Sequence, residues 1–432
     1  MTTGIVVDNP QAATGALRPG ASVRANFVWV FVANTIYLAS QWLIISTVAK
    51  LSSSEMVGQL SLGFAITAPI FLLSNLRLRT VLATDAHGEY GLPDYLAVRL
   101  LMTLAALAVV CGIGLLDSST PQTALVVICV ALAKSFESGS DLFYGLFLRC
   151  DQANRMTVSI LVRGAGSVLA VAVACYFRRD AVSAAMALCL SSGLLLLLCD
   201  LPLAAACCRR MGDDGLRFRW HIPTLRRLAA RSAPLGTAAM LMSLGVNIPR
   251  YFIQHVLSAS DVGLFSAVFY VAMAGGYAVS ALAEGASPRL ATTHAFGVRN
   301  EFNRVLRNLV SLGVAAGIGA LLVFFAAGKE ILAIVYRPEY VAGWRLLLCL
   351  GAAAVLANTA SIFSYALIAV RRYRDQLGSL IAMTIVTTVA CQFLVPAYAL
   401  TGAAAAMMLG YGVQAGWGLV AVRRAETAEA IG

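Results

Sequence analysis

The sequence predicts an all-α polytopic membrane protein with about twelve transmembrane helices, arranged as two parallel six-helix repeats around a central cavity. Three observations carry this. Of 432 residues, 59% are apolar and 12% charged, with a mean hydropathy of +0.80. A soluble chain carries about twice that charged fraction, so there are too few charges here to cover a wetted surface. Long apolar runs recur from Phe27 to Ala421, with no polar stretch big enough for a separate soluble domain. At roughly 20 residues per crossing plus short connections, the length allows about twelve helices.

Polar breaks between the apolar runs place the spans at 25–48, 56–76, 94–116, 121–148, 156–176, 181–207, 233–257, 262–285, 305–327, 342–369, 376–396 and 399–421. The first run is long for a signal peptide and is followed by Lys50 and three serines without a cleavage pattern, so it is read as helix one. Alternate connections and the two tails hold 22 Lys and Arg, against 5 in the opposite set. Because cytoplasmic loops retain the basic excess, both termini are expected in the cytoplasm of a plasma (inner) membrane protein. The net charge of +11 thus reads as topology, not as nucleic-acid binding. The division that follows is a tail at 1–24, a bundle at 25–208, a basic cytoplasmic linker at 209–232, a second bundle at 233–421 and a tail at 422–432.

The linker contains Met-Gly-Asp-Asp-Gly and seven arginines, and it separates six spans from six. A shift of 205 positions lays Val57, Gly58, Ser61 and Phe64 on Val262, Gly263, Ser266 and Phe269, four identities in eight columns. A shift of 221 lays Tyr144 and Leu146 on Tyr365 and Leu367. Six crossings per half give both repeats one orientation, with a symmetry axis along the membrane normal and a substrate path between the halves near the midplane.

Ionisable groups inside spans are informative because each costs roughly 2.5–3.5 kcal/mol at a helix centre unless paired or hydrated. Lys134, Glu137 and Asp141 fall at i, i+3 and i+7 of the fourth span, and Arg155, Ser159 and Arg163 at i, i+4 and i+8 of the fifth. Counting from a turn centred on Gln152, Asp141 and Arg163 reach equal depth, about 16 Å, on antiparallel neighbours. The expectation is an Asp141–Arg163 ion pair, or a Lys134–Glu137–Asp141–Arg163 network. Such a cluster either staples two helices or lines a transport route.

In the seventh span, Asn247-Ile248-Pro249-Arg250 joins a helix-breaking proline to a deep cation, which marks a cavity wall and an anion-binding residue, with snorkelling to headgroups the alternative for Arg250. Arg99 and Arg24, at the inner ends of the third and first spans, are either further cavity cations or interfacial anchors. Glu284, near the inner end of the eighth span, is a candidate proton or cation site, or part of a helix-end network. Asn34, Tyr37 and Gln41 form a polar stripe on the first span. His87, His221, His255 and His294 are scattered without metal-ligand spacing, so no metal is expected, and the ten cysteines form no CxxC pair and read as packing residues. There is no phosphate-binding loop of the GxxxxGK[ST] type.

Particular strings carry a resemblance. Ala131 to Leu146 reads ALAKSFESGSDLFYGL and Arg155 to Gly164 reads RMTVSILVRG. With LRLRTVLATD from Leu76 and NIPRYFI from Asn247, they resemble bacterial oligosaccharide flippases of the polysaccharide-transporter family, in the superfamily that also holds multidrug and toxin extruders. The resemblance implies an undecaprenyl-diphosphate-linked oligosaccharide as cargo, carried from inner to outer leaflet for capsule, O-antigen or exopolysaccharide assembly. It also implies that Lys134, Arg163 and Arg250 line or support a cationic cavity that Glu137 and Asp141 tune, with a polysaccharide polymerase and other assembly proteins as partners. No cofactor is implied beyond coupling to Na⁺ or H⁺. The alternatives are a cation-coupled multidrug extruder or other secondary transporter, and a polysaccharide polymerase or ligase; the last needs a large outside loop, which this chain lacks, so a non-enzymatic role is expected. Large glycan cavities recognise sugars through dispersed polar contacts, so the particular oligosaccharide is not legible.

Overall fold

In the computed structural model, residues 23–85, 89–117, 120–211 and 216–429 are described, with the side chains of 23–27, 211 and 426–429 excepted. Residues 1–22 of the expected N-terminal tail, His87 and the side chain of Arg24 lie outside the described residues, and the last two positions of that tail begin α1. Everything described is helix or connection. Helices α1 (Val23–Leu51), α2 (Ser54–Ser74), α3 (Leu78–Thr84), α4 (Leu92–Asp117), α5 (Pro121–Arg149), α6 (Ala153–Phe177), α7 (Ala181–Leu195) and α8 (Leu201–Met211) make the first half. A π-helical turn, Leu196–Asp200, joins α7 to α8 within one span. The second half holds α9 (Ile222–Val256), α10 (Ala259–Ala295), α11 (Arg299–Val335), a 3₁₀ turn at Pro338–Gly343, α12 (Trp344–Ala369) and α13 (Tyr373–Glu429).

Ten helical segments among the described residues are long and apolar enough to cross a membrane. The last of these, α13, leaves helical geometry at Ala399 (φ 49°, ψ −130°), three residues past Pro396, and so supplies two crossings where 376–396 and 399–421 are expected. The seventh expected span, in α9, is long enough but its hydropathy is diluted by Ser, Pro, Gly and Asn. Side-chain caps fix where several helices start. Ser53 accepts from the Met56 N–H, Thr120 from Thr123 ahead of Pro121, Asp180 from Ser183 and Ser258 from Asp261. Ser53 and Ser258 are themselves 205 positions apart, so the repeat extends from the apolar columns to the caps.

Two boundaries differ from the sequence expectation. The segment 222–232, expected as linker, is the first part of α9, because Ile222, Leu225 and Leu228 recur at helical spacing; Leu225 and Leu228 are buried in the first half's core beside Leu76, Tyr95 and Cys207. The segment expected as a C-terminal tail continues α13 as far as Glu429.

The packing of the two halves changes with depth. At the ends that carry few basic residues, one hydrophobic cluster draws on both halves: Val48, Met56 and Val57 pack with Val262, Phe265, Tyr336 and Tyr340. There α2 and α10 cross at Gly58 and Gly263. A Cβ on Gly58 would lie 1.7 Å from the Ala259 carbonyl oxygen, and one on Gly263 would lie 1.9 Å from that of Ser54. The Ser54 and Ser260 hydroxyls bond across the same point at 2.6 Å, and Arg337 donates to the Ser52 carbonyl at 2.7 Å. The paired glycines of the repeat are therefore the closest approach of α2 and α10, while α9 packs on α2 as a second contact between the halves. At the opposite, Arg-rich ends there are two separate clusters, one around Leu78, Tyr95 and Leu146 that takes in Leu225 and Leu228 of α9, and the other around Leu290, Phe302 and Leu367.

Candidate functional site

Three groups of charged side chains lie inside the spans of the first half. Arg99, buried on α4, donates to Asp141 at 3.0 Å, to Ser138 at 3.3 Å and to Asn75, and Ser138 donates to Asn75 at 2.6 Å. Arg79 reaches the other Asp141 oxygen at 3.5 Å. This network ties the end of α2, α3, α4 and α5 together. Arg99 is 3% exposed, so it is not the interfacial anchor offered as one alternative.

Arg163 belongs to the second group. The expected Asp141–Arg163 pair is absent: Arg163 donates to Asp200 at 2.7 Å and to Ser140, while Asp141 is held by Arg99 and Arg79. Asp200 also accepts from Ser159, which meets the Tyr144 hydroxyl at 3.0 Å. The cause of the exchange is the sixth span. Pro202 has no N–H for the Leu198 carbonyl, and the helix widens into a π turn whose last residue is Asp200, fully buried against α5 and α6. Sequence reasoning passed over Asp200. The signal was a lone carboxylate in the run LLLLLCDLPL, two residues before a proline.

The third group is Lys134 and Glu137, which pair at 2.7 Å one turn apart on α5, so only this portion of the expected four-member network forms on the fourth span itself. Unlike the other two groups, it sits where the halves face each other. The Lys134 ammonium lies 5.3 Å from the Phe64 ring of α2, and Tyr37 of α1 and Tyr270 of α10 are within electrostatic range of it.

Across from it, Arg250 is 4% exposed on α9. Its Nε donates to Ser266 at 2.9 Å and its Nη1 to Asn247 at 2.9 Å, and the guanidinium lies 4.7 Å from the Phe269 ring centre and 5.9 Å from that of Phe265. No carboxylate pairs with it among the described residues. Tyr270, the neighbour of Lys134, is also within electrostatic range of Arg250, with Tyr251, Tyr277 and Tyr411. Two cations from opposite halves thus fall within electrostatic range of one tyrosine. Pro249 does not break the helix as expected: α9 runs unbroken through Pro234 and Pro249, because packing against α2 and α13 holds the backbone that proline leaves unbonded. Glu284 is exposed on α10 next to the Tyr365 hydroxyl of α12, with Arg77 in electrostatic range. The side chain of Arg24 lies outside the described residues.

A separate cleft of 740 Å³ runs between α2, α4 and α9, lined by Leu62, Ile66, Pro69, Met102, Met240 and Leu244 among others. None of Lys134, Arg163, Arg250 and Arg99 lines it.

The geometry has counterparts in solved structures. An inward-facing multidrug resistance MATE family transporter of the MOP superfamily superposes with TM-score 0.72 at 12% identity, covering 93% of this chain and 98% of the other. The chain has the MATE transporter fold. The lipid II flippase MurJ, in an inward closed conformation, superposes on that same fold with TM-score 0.68 at 11% identity, over 92% of this chain and 87% of the other. Among curated proteins, the capsular polysaccharide biosynthesis protein CapF of Staphylococcus aureus is 22% identical over 379 residues, 88% of this chain and 94% of its own. No protein-family model matches the chain. These neighbours accord with the resemblance carried by the fourth, fifth and seventh spans, and those solved are transporters and a flippase, not enzymes.

Proposed function

We propose that this MATE-fold chain is a flippase that moves an undecaprenyl-diphosphate-linked oligosaccharide from the inner to the outer leaflet of a bacterial inner membrane by alternating access. The supporting observation is that Lys134 and Arg250, on opposite halves, are both buried and within electrostatic range of Tyr270, with Arg250 lacking an acidic partner among the described residues. A diphosphate cannot enter hydrocarbon unaided. Guanidinium and ammonium groups replace its hydration with charge-assisted hydrogen bonds. With the cell interior negative, outward movement of the anion is favoured by about 2.3 kcal/mol per charge per 100 mV. Both termini are cytoplasmic in this reading, the polymer-assembly machinery receives the cargo outside, and Na⁺ or H⁺ counter-movement resets the carrier. The likeness to CapF supports the sugar-lipid class.

The competing reading, a cation-coupled drug extruder, calls for carboxylates free to hold a cationic drug. Here the carboxylates within the first-half spans are taken, Glu137 by Lys134, Asp141 by Arg99 and Asp200 by Arg163, and Glu284, exposed on α10, is not among the groups around Lys134 or Arg250. That favours the anionic cargo.

The test is a leaflet-resolved assay of lipid-linked oligosaccharide with wild-type chain, Lys134→Ala and Arg250→Ala. Each substitution removes one charge-assisted contact to the diphosphate, and translocation is expected to fall about tenfold or more in each. Unchanged delivery in both variants would remove the basis of the proposal.

A further inference from the structure

We infer that Cys150 and Cys207 are a reactive dithiol, which a peroxide closes to a disulfide and a thiol reductant reopens. Their sulfurs meet at 2.7 Å, the Cys207 thiol donating, and neither cysteine is in a disulfide. The two lie 57 positions apart, so no CxxC spacing announces them.

The backbone on both sides holds the sulfurs together. Cys150 ends α5: its N–H donates to the Leu146 carbonyl at 3.0 Å, Asp151 turns left-handed at φ 53°, and the Gln152 N–H returns to the Phe147 carbonyl at 2.8 Å. That double closure fixes the turn into α6. Cys207, 1% exposed on α8, belongs to the buried cluster that holds Leu146 and Phe147 of α5 and Leu225 and Leu228 of α9. No helix has to move for the sulfurs to bond, since they stand about 0.7 Å beyond the length of a disulfide.

The surroundings favour a thiolate, the nucleophile in this chemistry. Arg155 and Arg210 are within electrostatic range of Cys207, and Arg149 of Cys150. The Nη1 of Arg155 is buried without a hydrogen-bond partner, so a charged donor in range of the pair has no acceptor while the thiols are neutral.

With a peroxide as oxidant the chemistry balances. The thiolate sulfur attacks one peroxide oxygen, the O–O bond breaks and hydroxide leaves, which gives a sulfenic acid. The second sulfur attacks the first, the S–S bond forms, the S–O bond breaks, and the departing hydroxide takes the second thiol's proton. The first thiol's proton joins the first hydroxide. Two sulfurs have lost two electrons, and the peroxide has become two waters. The bond ties the α5–α6 turn to α8 and closes a loop that contains both Arg163 and Asp200, so it braces the helices that carry that pair.

The inference does not depend on the cargo, and its test uses none. The full chain, reduced and reconstituted in lipid vesicles, is treated with hydrogen peroxide; remaining thiols are capped with N-ethylmaleimide and linked peptides are identified by mass. Cys150 and Cys207 are expected to join at least about tenfold faster than any other cysteine is oxidised, and dithiothreitol to restore both thiols. Arg155→Gln is expected to slow the joining about three- to tenfold by withdrawing charge that favours the thiolate. In Cys150→Ser and in Cys207→Ser the remaining sulfur is expected to stop at the sulfenic acid and be trapped by dimedone, which thiols that are merely packed together would not do. Thiols that survive the peroxide, a link to Cys208 in place of Cys207, or oxidation no faster than that of the half-buried Cys111 would overturn the inference. The wild-type peptide map alone decides between these outcomes, so a serine variant that fails to fold does not protect it.

Discussion

Replacing Asp200 with alanine is expected to destabilise the first half by about 3–5 kcal/mol, the usual cost of breaking a buried ion pair from one side. The reason is what remains. Arg163 is buried, its Nε and Nη1 already lack partners, and Asp200 supplies the one full counter-charge within bonding distance among the described residues. Without that carboxylate a guanidinium is left in a medium that solvates it poorly, and the Ser159 hydroxyl loses its acceptor as well. Asp200→Asn keeps the size and most of the hydrogen bonding but not the charge, so an intermediate loss is expected. Removing both charges, as Asp200→Leu with Arg163→Met, is expected to recover most of the stability, because no orphaned ion is left. Thermal unfolding of the four proteins in detergent separates these outcomes. A double variant as unstable as Asp200→Ala would show that the pair is valued for something other than compensation.

The helical plan was legible because a membrane imposes it: every span needs its own run of apolar residues, and the end of α8, the start of α9 and the bend at Ala399 fall beside Arg-rich or proline-containing stretches. The repeat was legible too, since a close helix crossing at both Gly58 and Gly263 requires glycine in each half. The charge pairings were not. Equal depth on neighbouring helices made Asp141 and Arg163 plausible partners, but depth does not fix which way each helix is turned. The rotation of α5 gives Asp141 to Arg99 and Arg79, and the π turn, a local change of helical pitch invisible to a 3.6-residue count, brings Asp200 to Arg163. Pro249 misled for a related reason. A proline breaks a helix that stands alone, whereas α9 is braced along its length by α2 and α13.

Gly58→Val is expected to prevent the halves from closing at the glycine crossing and so to arrest the transport cycle. A Cβ at this position would sit 1.7 Å from the Ala259 carbonyl oxygen, which is backbone and has no rotamer to yield, and 3.1 Å from the amide nitrogen of Gly263. Either α2 and α10 separate or the crossing is lost. Overpacking of this kind costs at least about 1–3 kcal/mol, and under the alternating access proposed above the cost falls on the conformation closed at this crossing. A penalty of 2 kcal/mol or so lowers the closed population about thirtyfold relative to its alternative. The disulfide between cysteines introduced at Ser54 and Ser260 is then expected to form rapidly in the wild-type background and to be nearly absent with Gly58→Val, while the chain still folds and inserts, since the apolar spans are untouched. Gly263→Val is expected to do the same through the Ser54 carbonyl, 1.9 Å from its Cβ. Equal effects from the two substitutions would follow from the symmetry of the crossing. Undiminished cross-linking in both would mean that α2 and α10 approach less closely in the membrane than here, and the repeat would then lose its role as the point about which the halves rock.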